Sequence, residues 1–226
     1  MSDLREDDLP ERFSLVAGGG FHALLGRFGL LEADMLPSRT AALALALLAF
    51  TIPGLFAATQ SLLDEAYSGW DYFGDATVYA RYLVAIFIMV ATEHLADGRI
   101  VLMTRHFRDA RILKPTSRGL FATAVARADR QASSYRAETV ILVVAFAWSM
   151  ATTRIATVVS TDSWEGMVAA TGVVKLSWAG EASALTSNTL FLFLVLRWFW
   201  RFYLWAALLA KTALMQLQIM PMHPDR

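Results

Sequence analysis

Residues 191–210 read FLFLVLRWFWRFYLWAALLA, a run with the length and apolar character of a membrane span that nevertheless carries Arg197 and Arg201. Residues four apart share one helical face, so the two charges would stand together. Each arginine costs about 2.5–3.5 kcal/mol at the centre of a span, and each Leu, Phe or Val returns about 0.3–0.6. The eleven Leu, Phe and Val residues between 191 and 209 would return roughly 3–7 kcal/mol, close to the cost of both arginines. Two placements follow. With both arginines central, the span needs acidic partners, and Glu93 is the best candidate. Slid outward to begin near 182, the span brings Trp198, Trp200, Tyr203 and Trp205 to the inner interface, where aromatic belts form, and both guanidiniums snorkel to phosphates. The second placement costs less and is the one adopted, although it draws Ser183, Thr186, Ser187 and Asn188 into the outer half.

The rest of the chain supports a membrane reading. Of its 226 residues 56% are apolar and only 18% charged, with a mean hydropathy of +0.45, and the apolar residues are gathered into long runs. A bilayer core of about 30 Å needs about 20 mainly apolar helical residues. Four segments qualify: 41–58, which tolerates Pro53-Gly54 as a kink, 77–96, 139–160 and 182–205. The fold class is therefore all-α, a polytopic protein with four transmembrane helices. Residues 1–37 form an N-terminal segment ahead of the membrane domain, 38–226.

Loop charges orient the spans. Segment 60–75 carries Asp64, Glu65, Asp71 and Asp75 without a lysine or arginine. Segment 97–137 carries nine basic residues, among them Arg99, Arg105, Lys114, Arg127 and Arg136, and segment 161–181 sets Lys175 against Asp162, Glu165 and Glu181. Basic loops favour the cytoplasmic side, which puts both termini and 97–137 inside. That loop is itself helical in pattern. Ile100, Met103, Phe107 and Ala110 recur at helical spacing, as do Phe121, Ala124, Val125, Ala128, Ala132 and Tyr135, with a break at Pro115-Thr116-Ser117. The second and third spans are expected to continue as a cytoplasmic helical hairpin, 97–137, paired along those stripes. Residues 13–31 are apolar, glycine-broken and too short to span, which suggests an interfacial or re-entrant piece. Gly18-Gly19-Gly20 lacks the preceding strand and following lysine of a phosphate loop. Residues 1–12 are acidic and lack the basic start and apolar core of a signal peptide.

Ionisable residues at membrane depth are the candidate functional positions: Arg81, Glu93, His94, Arg154, Arg197 and Arg201. Arg81 and Arg154 lie within about two turns of the outer ends of their spans and can snorkel outward, balanced by Asp75, Asp162 and Glu165. Glu93 and His94 are adjacent, so they point to different helix faces and lack a metal-ligand spacing. A helix-end pair is the reading preferred over a proton relay.

The run Arg197-Trp198-Phe199-Trp200-Arg201, with the later Pro221-Met222-His223-Pro224-Asp225-Arg226, resembles a family of uncharacterised bacterial multi-pass membrane proteins in which R-W-x-W-R precedes P-x-H-P-D-R-A-G-G-L. The resemblance is specific over 190–226 and loose elsewhere. It implies a bacterial inner membrane and a continuation beyond Arg226, so that a ligand site on His223, Asp225 and Arg226 would be incomplete here. It transfers no activity. On its own chemistry that segment could bind a metal or phosphate, or simply stop one helix and cap the next.

No catalytic set is expected. The chain has no cysteine, no nucleophile motif and no zinc-spaced histidine pair, and neither metal, cofactor nor nucleic acid is anticipated. The expected partners are the bilayer, anionic headgroups at 97–137, and a second copy or another membrane protein. The function expected is a membrane scaffold, sensor or assembly subunit. The alternative is a transporter with an arginine-lined, anion-attracting path, and a membrane enzyme using His223 and Asp225 is the weakest reading.

Overall fold

The computed structural model describes residues 14–15, 18–31, 36–65, 67–109, 115–159, 164–168 and 174–215. A short helix α1 (Gly20–Arg27) precedes the first long helix, α2 (Arg39–Leu63). Ser38 starts α2 by accepting the Ala41 N–H at 3.0 Å, which satisfies one of the open donors of the first turn. A single turn, α3 (Asp71–Gly74), leads to α4, which begins over Ala76–Val78, widens to π geometry over Tyr79–Ala85 and resumes as α-helix over Ile86–Ala91. After an interruption at Thr92 follow α5 (Glu93–Asp109), α6 (Pro115–Ala132) and α7 (Tyr135–Val159). A hairpin of β1 (Gly166–Val168) and β2 (Val174–Leu176) pairs Met167 with Lys175. The last helix, α8 (Trp178–Ala213), passes through a π segment over Ser183–Ser187.

Four helices are long and apolar enough to cross a membrane: Arg39–Leu63, Ala76–Thr104, Tyr135–Ile155 and Trp178–Ala213. They overlap the four expected spans, three extending beyond them at both ends and the third starting earlier and ending at Ile155, and they fit an integral, multi-pass membrane protein. No more than 39% of any one apolar window is buried inside the protein. Leu43, Leu47, Val84, Ile88, Val140, Val143, Trp148 and Phe202 are exposed, as expected where lipid rather than water faces the helices.

Small residues bring the helices together. α2 buries Ala41, Ala42, Ala46, Ala49, Gly54 and Ala57, a face on which α4 and α8 pack closely. A Cβ at Gly54 would stand 3.1 Å from the Tyr72 ring. Pro53 has no N–H, so the Ala49 carbonyl loses its helical donor. Ser187 of the α8 π segment replaces it, its Oγ donating to Ala49 O at 2.5 Å. Tyr72 similarly donates to Phe50 O at 2.6 Å. The π segments of α4 and α8 meet through Tyr82 Oη and Ser183 Oγ, 2.7 Å apart.

The end of the bundle holding the β-hairpin is closed by Trp164. Its indole N–H donates to Asp75 Oδ2 at 3.0 Å, and its carbonyl accepts from Tyr67 Oη and from Ser177 Oγ, each at 2.7 Å. Its ring meets Tyr72 edge-on at 4.9 Å. Gln60 reaches the same cap, accepting the Trp178 N–H at 2.7 Å.

At the opposite end the expected pairing of the two stripes is qualified among the described residues, which leave out the Phe107 side chain and Ala110. The α6 stripe Phe121, Val125 and Ala128 packs on Leu204 and Leu208 of α8, with Leu15 beneath it, rather than zipping along α5. Ile100 joins that cluster from α5, whereas Met103 and Tyr135 are exposed. α8 outruns the membrane-spanning requirement, so its distal turns offer α6 a larger apolar partner than the polar α5.

Candidate functional site

Among the described residues, the bundle interior brings four buried charged side chains into contact. Arg197 and Arg201 lie one turn apart on α8. Glu93 opens α5 directly after the interruption at Thr92, and Glu138 sits in the first turn of α7. Arg197 donates from Nη1 to Glu93 Oε1 at 2.5 Å and from Nε to Glu138 Oε1 at 3.0 Å. Arg201 Nη1 stands 2.9 Å from the same Glu93 oxygen. Relative exposure is 2% for Arg197, 6% for Arg201, 0% for Glu93 and 7% for Glu138. Two guanidiniums and two carboxylates thus form a charge-balanced set closed from solvent, the arrangement that makes buried ions tolerable.

The N-terminal segment completes the set. Gly18 and Gly19 adopt φ of +112° and +88°, a region that glycine occupies without penalty, and they lead the chain into the bundle. A Cβ on Gly19 would lie 2.6 Å from the Glu138 carboxylate. The Phe21 N–H donates to Glu138 Oε2 at 2.9 Å, and the Phe21 ring covers the Arg197 guanidinium at 4.6 Å, a cation–π contact in a desolvated setting. Ser14 Oγ donates to Asp97 Oδ1, one turn beyond Glu93, with both side chains buried. Gly19 thus allows the chain to approach the Glu138 carboxylate closely.

The snorkelling expectation for Arg197 and Arg201 is overturned in where the side chains point. Both guanidiniums turn inward to Glu93 instead of outward to headgroups. A carboxylate within reach of both offers a better partner than interfacial water, and Glu138 adds a second. Depth along α8 still resembles the outward placement, because Arg201 lies roughly 35 Å along the helix from Trp178. Of the proposed aromatic belt, Tyr203 is exposed, whereas Trp198 donates inward to Met89 O at 3.0 Å.

Arg81 and Arg154 stay apart from this set, and both are exposed. Arg81 lies within electrostatic range of Asp75 and Glu165. Burial would raise the Asp75 carboxyl, but hydrogen bonds from Trp164 and Thr77 together with Arg81 hold it below its ordinary value. Burial pushes the Glu165 carboxyl up. His94 belongs to α5, but its side chain lies outside the described residues, as do Asp162, His223, Asp225 and Arg226. Among the described residues no three His, Asp or Glu side chains converge as a metal site.

Two participants escaped the sequence reading. Glu138 stands just beyond the basic segment 97–137 and was not among the candidate positions. Its signal is its place two residues before the long apolar run 140–147, where a carboxylate needs a partner. Phe21 carried no distinguishing signal. Hydroxyls at the start of α8 and on α7 bond to α8 carbonyls: Thr186 donates to Ala182 O at 2.6 Å, Thr189 to Ala184 O at 2.6 Å, and Ser149 of α7 to Ala184 O at 2.7 Å. Side-chain hydroxyls thus occupy carbonyls that the π segment frees.

Compared with family models, with curated proteins and with solved structures, the chain matches none.

Proposed function

We propose that the chain is a structural subunit or scaffold of a membrane assembly, in the cytoplasmic membrane of a bacterium with both termini inside. The observation that carries this reading is the closed pairing of Arg197 and Arg201 with Glu93 and Glu138. A transport site presents its charges to a path that substrate can enter. Here the intramembrane arginines are turned to carboxylates, and the hydroxyls of α8 are turned to backbone carbonyls. The same network ties α5, α7, α8 and the N-terminal segment into one unit, as a platform for another protein or a second copy requires. The wide apolar flanks of the four spans leave room for such a partner.

Arg197-Trp198-Phe199-Trp200-Arg201 also supports placement in the bacterial family that shares R-W-x-W-R. Partner capture and flux separate the readings. Purified protein in liposomes should conduct no chloride or phosphate, and covalent crosslinking in the native membrane should trap a partner or a second copy. Anion flux abolished by Arg197→Gln in a protein that remains folded would overturn the scaffold reading in favour of transport.

A further inference from the structure

Beside the charge network, at the far end of α8, a groove of about 380 Å³ lies between α6 and α8. Its floor is apolar, with Leu204 among the residues beneath it, and its rim carries Arg127 and Gln131 from α6 and Lys211 from α8. Among the described residues none of those lining it is acidic. Trp200 and Tyr203 form one wall, stacked with centroids 5.7 Å apart and rings inclined by 25°. The Trp200 indole Nε1 is buried and has no hydrogen-bond partner among the described residues. An unsatisfied buried N–H is costly, and this one belongs to a wall of a groove rimmed by two cations.

We propose that this groove holds the phosphate headgroup of an anionic phospholipid. Arg127 and Lys211 supply the charge, the Gln131 amide supplies a donor, and the apolar floor receives the start of an acyl chain. The amphipathic lining selects a lipid over a free phosphate ion, which would leave Leu204 and its neighbours wet. Charge selects an anionic headgroup over a zwitterionic one. The position agrees with depth: α8 runs from Trp178 past the roughly 30 Å of hydrocarbon before it reaches Trp200, so the groove lies where headgroups begin. This inference goes beyond the scaffold reading and rests only on the chain sitting in a bilayer.

Native mass spectrometry of detergent-purified protein, with added phosphatidylglycerol, phosphatidylcholine or soluble glycerol phosphate, tests it. The wild type should retain phosphatidylglycerol in preference to the other two. Arg127→Gln and Lys211→Gln should each weaken retention roughly fivefold, the effect of one basic residue at an anionic surface. Arg130→Gln, on the same helix but outside the groove, should leave it unchanged. Both rim residues are exposed, so folding should survive their loss, and a thermal melt checks that it does. Equal retention of phosphatidylcholine, equal binding of glycerol phosphate, no retained lipid, or an equal loss in Arg130→Gln would overturn the proposal. Chloride flux and partner capture do not enter the measurement, so failure here is distinguishable from failure of the scaffold reading.

Discussion

Arg197 bridges two helices that are 45 residues apart in sequence at their carboxylates, Glu93 of α5 and Glu138 of α7, by donating to both at once. Removing one member of a buried ion pair strands the other, at a cost of about 3–5 kcal/mol. Arg197→Gln should therefore lower stability by that order, measured by denaturant unfolding in detergent micelles. Arg197→Lys should rescue little, because an ammonium lacks the planar fork that reaches two carboxylates. The Arg197→Gln/Glu93→Gln pair should cost less than the sum of the single changes. Additive losses would show that the bridge does not act as one unit.

Gly19 tests the glycine-bent entry to α1. Gly19→Ala places a methyl group against the Glu138 carboxylate and forces φ of +88° on a residue with a side chain. Such backbone strain costs about 1–3 kcal/mol, and displacing α1 relieves it. Limited trypsinolysis should then cut at the exposed Arg27 much faster than in the wild type. Unchanged cleavage would mean that the segment tolerates the methyl group in place.

Ser187 and Pro53 should be coupled. Ser187→Ala strands the Ala49 carbonyl and should cost about 1 kcal/mol, the scale of hydrogen bonds between membrane helices. Pro53→Ala restores an N–H four residues after Ala49, so Ser187→Ala should be nearly neutral in that background. A full cost in both backgrounds would break the link.

The Trp164 cap should weaken in acid. The Asp75 carboxyl is held below its ordinary value when folded, so its contribution is fully present above the unfolded value of about 3.9. That contribution is lost as pH falls through the folded pKa. Asp75→Asn should cost about 1–2 kcal/mol at neutral pH, and the difference from wild type should vanish in acid. Glu165, raised by burial, titrates in the opposite sense, so both proteins are best measured with Glu165→Gln. A cost that persists at low pH would assign Asp75 a merely steric role.

Orientation is accessible because the chain has no cysteine of its own. In intact cells a membrane-impermeant maleimide should label Glu65→Cys and leave Thr123→Cys untouched until the membrane is opened. The reverse pattern would invert the topology.

The four spans were legible because crossing a bilayer demands a long apolar run, and such runs are visible residue by residue. Arg197, Arg201 and Glu93 were legible as candidates for the same reason, since charge stands out against them. Their mutual contact was not, because insertion energies weigh each helix alone and cannot see a carboxylate arriving from another. The partner of Glu138 and the role of Phe21 lay beyond reach for a related reason: they come from a helix start and a glycine-bent entry that bring distant chain together. The strands Gly166–Val168 and Val174–Leu176 are short, and only their backbone pairing distinguishes them from loop.

The π segment of α8, Ser183–Ser187, has one more effect. A helix advances about 100° per residue, so a wide turn that absorbs an extra residue resets the angular phase of everything after it. Closing 183–187 to α geometry with every residue kept would swing Arg197 and Arg201 about 100° around the axis, off the carboxylates, whereas deleting one residue along with that closure would leave their bearing nearly unchanged. The compass bearing of the charge network is thus set some ten residues upstream of it.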